Sequence, residues 1–327
     1  MTGPPRRRRL RTWSALGELG RVPSEYEIVT HDTNYTLRTG RSAALEMNPS
    51  SPANLWFLTY RDRSPLQAPD WNGFRDPDQL TYRAYVTLQD EQETVVRGLL
   101  DEYSDAGHDA RLPAAWLKTL ALLFTAARRP AHATQLCHSY VAQMAPSSYI
   151  SNCAAFAAAD MLRRVSVLAY RTRELQRAHP TVGFGTADRA RWETDPAWQP
   201  ARRALEEALV AYDWGESFVA VNLVLRPTLD DILLRQLGET ARDRGDDLTW
   251  LLLANLDLDA ARCRRWSTAL ADYAIAQRPD NADVIERWVA RWTPRADAAA
   301  EALVQVQDRA RTSKSTAGVR APSGVPG

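Results

Sequence analysis

The sequence predicts an all-α protein, a bundle of long helices preceded by an extended N-terminal arm. Three observations carry that prediction. From residue 80 onward, apolar residues recur at helical spacing between recognisable start and stop signals. Alternation of apolar and polar residues with the period of a strand is scarce. The first 79 residues break the helical pattern with Pro4, Pro5, Pro23, Pro49, Pro52, Pro65, Pro69 and Pro77, and hold few helical runs longer than two turns.

The arm, residues 1–79, carries Trp13, Tyr26, Tyr35, Trp56, Phe57, Tyr60, Trp71 and Phe74. Disordered segments are poor in such rings. A bulky ring buries a large area on few rotatable bonds, so these residues suit an ordered arm anchored on another surface, a partner subunit. The basic tip, 1–11, is expected to be mobile. Residues 80–311 form the helical domain. Helices are expected at 80–103, ending near Gly107, and at 113–129, opened by Pro113 and stopped by Pro130. The next run over 131–144, 150–178, 201–212, 213–237, 247–277 and 282–310. Phe218, Val221, Leu225, Leu229 and Ile232 mark one face of the 213–237 helix, as a buried bundle helix requires. The tail, 312–327, is rich in Ser, Gly and Pro and is expected to be disordered.

Composition narrows the function. The chain has 327 residues, 45% of them apolar and 25% charged, which is ordinary for a soluble globular protein. A net charge of +1 argues against a dedicated nucleic-acid binder. Positive charge is nearly all Arg, with only Lys118 and Lys314 as lysines, a sign of GC-rich codon usage. Cys137, Cys153 and Cys263 are widely spaced and odd in number, as expected of reduced, buried thiols. No apolar run approaches the roughly 18 residues of a membrane span, and the basic start lacks the apolar stretch of an export signal. A cytoplasmic protein is expected, without membrane contact.

Two stretches hold a motif without its chemistry. Asp160-Met161-Leu162-Arg163-Arg164 and Asp259-Ala260-Ala261-Arg262-Cys263 both have the Asp and Arg of D-E-x-R-H. Carboxylate-bridged di-iron proteins carry that motif twice, its Glu and His binding iron from one helix face. Here Met161, Arg164, Ala260 and Cys263 stand where those ligands would be. No Asp or Glu occurs over 110–159, and "DWGESF" offers one further carboxylate, Glu216. The two frames lie 99 residues apart on separate long helices, which fits the two halves of a ferritin-like bundle. Chance i,i+3 pairs exposed to solvent are the competing explanation. If the frames are relics, Asp160, Arg163, Asp259 and Arg262 face one another and pair within each frame or crosswise, and Arg164 reaches Glu216.

Other motifs carry less. The five histidines, His31, His108, His132, His138 and His179, do not cluster with acids at metal-ligand spacing. "GFG" at 183–185 is a turn, since no phosphate-loop pattern follows it. The four arginines 6–9 suit a solvated tip. No catalytic, cofactor-binding or metal-ligating residue is assigned.

Longer stretches resemble a known family. They are "RTWSALGELGRVPSEYEIVT", "SPANLWFLTYRDRSPLQ", "FRDPDQLTYRAY", "YVAQMAPSSYISNC", "AYRTRELQ" and "AYDWGESFVAVNLVLRP", with "RWSTAL" and "RPDNADVIERW" further on. Together they resemble the beta subunit of the hydroxylase component of bacterial multicomponent monooxygenases, in the toluene and alkene branch. The resemblance runs to about residue 305, and "DPDQL", "QMAP" and "DWGE" are its most specific parts.

That resemblance implies a non-catalytic structural subunit in an (alpha-beta-gamma)2 hydroxylase. The di-iron centre would belong to the alpha subunit, which shares the helical fold. The holoenzyme would be an NADH-dependent monooxygenase of the EC 1.14.13 type. It would use O2 to oxidise an alkene or aromatic hydrocarbon such as toluene, propene or isoprene, in hydrocarbon catabolism. Its electrons would pass through an FAD and iron–sulfur reductase and a Rieske ferredoxin, and it would need a small effector protein. The alternative is an adaptor or scaffold subunit of an unrelated complex.

Overall fold

A computed structural model describes residues 21–30 and 52–312; the basic tip and the tail beyond Thr312 lie outside the described residues, as do Trp13, His31 and Tyr35. Among the described residues there are helices and no strands. Short α1 (Glu25–Thr30) and α2 (Pro52–Phe57) belong to the arm. The domain holds α3 (Tyr82–Asp105), α4 (Ala114–Thr119), α5 (Arg128–Met144), α6 (Ser148–Ala178), α7 (Asp188–Thr194) and α8 (Gln199–Ala208). A continuous helical stretch follows, made of α9 (Trp214–Phe218), α10 (Arg226–Asp230) and α11 (Leu237–Asp243). Wider π-helical turns at Val219–Leu225 and Asp231–Gln236 join them. The chain closes with α12 (Asp247–Gln277) and α13 (Asn281–Thr312).

Capping residues mark where the helices start. Thr81, Ser147, Asp213 and Asp246 each accept a backbone N–H of the first turn that follows, for α3, α6, α9 and α12. Gly245, at φ +75°, lets the chain leave α11 and enter α12 within a few residues, a left-handed conformation that a Cβ would strain.

Two expectations fail locally. Pro130 does not stop a helix; it lies in the first turn of α5, where its missing N–H would have had no partner. The helix expected over 113–129 is instead α4 plus the π-helical turn Leu120–Phe124, followed by turns. Short α7 was not foreseen in a segment of mixed polarity.

α5 and α6 lie along each other, joined by a tight connection. α12 crosses α6 and α3, and α11 packs back on α12. A larger apolar core runs from α4 and α5 through α8 to α12 and α13. A second core joins α5, α6, α9 and α12 to the arm. Tyr26 packs on Tyr149, Trp71 meets Trp214 edge-on at 5.2 Å, and Phe74 meets Tyr273. For these arm residues, therefore, the surface covered is the chain's own bundle and not a partner. Polar clamps hold them there: Ser64 donates to Asp213 (2.8 Å), and Asn281 bonds both backbone groups of Gln67. Buried Glu27 accepts from Arg21 and Arg75, and hydrogen bonding from Arg21 is the main reason its carboxyl stays well below the usual range.

Candidate functional site

Where α3, α6 and α12 meet, the two sequence frames come together. Arg262 of the second frame donates to Asp160 of the first at 2.5 Å, and Arg163 of the first donates to Asp259 of the second at 2.8 Å. Pairing is thus crosswise, with one further contact inside the second frame, Arg262 to Asp259 at 3.1 Å. All four side chains are buried.

α3 completes the network. Tyr85 donates to Asp160, and the Gln89 amide donates to both Asp160 and Asp259. Arg163 also holds Glu93 (2.6 Å) and the side-chain carbonyl of Asn255, whose amide donates to Gln92. Burial, with Asp259 nearby, pushes the Asp160 carboxyl up to about 6 against the pull of Arg262. A solvated i,i+3 pair shows none of these features, so the chance explanation of the frames fails.

A second cluster lies deeper, among α5, α6, α10 and α12. Arg164 does not reach Glu216; it donates to Asp230 at 2.5 Å. Arg226, one turn before Asp230, bonds the other carboxylate oxygen at 3.2 Å. Burial opposes the charge on Asp230, but Arg164 and Arg226 outweigh it and hold the carboxyl below its ordinary value. Arg226 also donates to Nε2 of His138 at 2.9 Å, so the proton of this imidazole sits on Nδ1. Burial, then Arg226 and Arg164, lower the His138 pKa well below its ordinary value and keep the ring neutral. Beside them Asn222 donates to Ser267 and touches the sulfur of Cys263, whose thiol burial pushes up.

Glu216 lies elsewhere, held by Arg291 (2.9 Å) and by the Trp292 indole. His108 and the Trp116 indole both bond Asp246. His179 bonds the Asp109 carbonyl. Sequence reasoning missed Arg226, Asp230 and His138. The signal was present: Arg226 and Asp230 are an i,i+4 pair inside the apolar run "VNLVLRPTLDDILL", where charge has no reason to be unless it is paired.

These side chains do not fit a di-iron centre. Such a centre draws carboxylates and imidazoles inward from four helices. Here Met161 and Ala260 supply hydrocarbon, Cys263 is a neutral thiol, and the middle is filled by two guanidiniums that repel a metal cation. Among the described residues no group of three or more His, Cys, Asp or Glu is placed to share a metal ion.

The comparisons agree with this architecture. The family model for methane, phenol and alkene hydroxylases matches residues 56–278. The hydroxylase component subunit beta of the toluene-4-monooxygenase system of Ectopseudomonas mendocina is 42% identical over 297 residues, 91% of this chain and 90% of that protein. A phenol 2-monooxygenase oxygenase component of Pseudomonas sp. strain CF600 is 24% identical, over 76% of this chain and 73% of that protein. A solved structure of toluene 4-monooxygenase, with toluene in its resting active site, superposes with a TM-score of 0.86 at 41% identity. It covers 94% of this chain and 99% of the matched one. Phenol hydroxylase from Pseudomonas sp. OX1 has the same fold, with a TM-score of 0.78 at 18% identity over 97% of this chain and 95% of its own. The ferritin-like bundle, the long shared stretches and the matched length agree: the chain belongs to the methane, phenol and alkene hydroxylase family, among the hydroxylase beta subunits of its toluene branch.

Proposed function

We propose that this chain is the non-catalytic scaffold subunit of a hydrocarbon hydroxylase whose di-iron centre lies in a larger alpha subunit. The observation that carries this reading is the Arg164–Asp230–Arg226 cluster, which puts two buried guanidiniums near the positions from which the family motif would present metal ligands. The chain's own residues then hold helices in register and present surfaces to partners. In this reading alpha, beta and gamma subunits form an (alpha-beta-gamma)2 assembly in the cytoplasm. An effector protein, a Rieske ferredoxin and an NADH-dependent reductase with FAD and iron–sulfur clusters complete the system. The substrate is an aromatic or alkene hydrocarbon of the toluene, propene or isoprene kind. No described helix is long and apolar enough to cross a membrane, which suits a cytoplasmic assembly.

The test is iron analysis by polypeptide. The hydroxylase is purified intact, its subunits are separated under non-chelating conditions, and iron is measured on each. Iron should follow the alpha subunit and be absent from this chain. About two irons bound per copy of this chain would overturn the proposal. Product analysis of the reconstituted system, epoxide against phenol, then identifies the substrate class.

A further inference from the structure

Two arginines share one aspartate in the middle of the bundle. Arg164 and Arg226 each take one oxygen of Asp230, at 2.5 and 3.2 Å. Each guanidinium nevertheless keeps its Nη2 without a hydrogen-bond partner within the chain. These are deeply buried groups, 7% and 3% exposed. Both line one small cavity of about 20 Å³, together with Asp230, Thr134 and an otherwise largely apolar wall that includes Phe124, Leu168 and Leu229. A space of roughly 10–15 Å³ already admits one water-sized particle.

At the cavity itself, arginines outnumber the carboxylates bonded to them. Asp160 and Asp259 are bonded to Arg262 and Arg163 in the crosswise pairs, and Glu93, on the solvent side of Arg163, is 42% exposed and screened by water. That leaves Asp230 as the one carboxylate bonded to both Arg164 and Arg226, with Asp160 acting on Arg226 from further away. His138 accepts a hydrogen bond from Arg226 and stays neutral, so it adds no negative charge. The cavity wall therefore carries two guanidiniums that share one bonded carboxylate, a local excess of positive charge in a low-dielectric interior.

A water molecule would serve this site poorly. It could accept from the two Nη2 groups and donate to Asp230 or Thr134, but it would leave the excess positive charge in place. An anion accepts both bonds and cancels the surplus charge. A cavity of this size suits one small anion and not a carboxylate with a side chain. We propose that the Arg164–Arg226 cavity binds one small monovalent anion of halide size.

The test uses bromide as the probe. Crystals of the protein, in whatever assembly it purifies, are soaked in sodium bromide and measured at the bromine absorption edge. An anomalous peak bonded to both Nη2 atoms is expected in the wild type and none in Arg164→Met, where the surplus charge is gone. Density without bromine signal would overturn the proposal. So would an equal peak in Arg164→Met, which would mark an adventitious ion only.

A solution measurement reads the same site. Replacing gluconate by about 100 mM chloride at constant ionic strength should raise the unfolding midpoint by about 3 °C if Kd is about 10 mM. Ala131→Val, which adds bulk to the cavity wall and leaves both arginines in place, should abolish that rise. An unresponsive wild type, or a filled variant that responds as the wild type does, would refute the site even if Arg164→Met failed to fold.

Discussion

Arg262→Met removes the one cation paired with Asp160 among the described residues and leaves a carboxylate buried beside Asp259. Breaking a buried ion pair from one side costs about 3–5 kcal/mol. The carboxyl can limit that loss by taking up a proton. Raising it from an ordinary pKa near 3.9 to above 7 costs about 4 kcal/mol at pH 7, at roughly 1.4 kcal/mol per unit. Tyr85 and Gln89 still hydrogen-bond it, and Met fills much of the vacated volume, so the expected loss is about 3 kcal/mol.

The pH dependence gives the cause away. In the wild type the carboxyl is already raised to about 6, so its contribution to stability is greatest below its ordinary pKa and is lost as pH rises through about 6. In the variant that loss continues past pH 7. The gap between the two proteins should therefore narrow by about 1 kcal/mol between pH 7 and pH 5. Urea unfolding of the full chain, followed by tryptophan fluorescence at both pH values, measures this. Adding Asp160→Asn to Arg262→Met should recover about 2 kcal/mol. A loss under about 0.5 kcal/mol, or no recovery in the double variant, would refute the idea that this network holds α3, α6 and α12 together.

Two further substitutions probe separate parts of the fold. Gly215→Ala would put a Cβ 2.9 Å from Leu66 Cβ and 3.2 Å from Ser64 Oγ, so the arm segment must back away. The expected cost is about 1–3 kcal/mol, seen as a lower thermal midpoint, whereas Gly98→Ala, with open space around it, should be neutral or slightly stabilising. His138→Gln tests the neutral imidazole. Because the folded ring is held well below its ordinary pKa, its contribution is present above about pH 6.5 and lost as pH falls below that. The variant's stability should decline less steeply as pH falls from 7 to 5, measured by urea unfolding at a series of pH values. Identical acid limbs in the two proteins would count against it.

The helical class, the long helices 148–178, 247–277 and 281–312, and the presence of two ligand-free frames were all legible in the residues. Helix boundaries depend on near neighbours, and Thr81, Ser147, Asp213 and Asp246 write the start of their helices into the chain locally. The same locality explains the errors. Pro130 has one meaning inside a helix and another in its first turn, and no local pattern decides between them. Which charges would meet was beyond sequence reasoning. Asp160 could have paired with Arg163, three residues away, as readily as with Arg262 on another helix. Arg164 had Glu216 and Asp230 as comparable candidates until the course of the 214–243 helical stretch brought Asp230 to it. The arm's rings carried no sign of whether they cover a partner or their own bundle. These outcomes depend on how α3, α6, α10 and α12 cross, and that crossing is set by burial summed over every apolar side chain in both cores. A buried charge then takes whichever partner the crossing brings within reach, because remaining unpaired costs more than any local preference can offset.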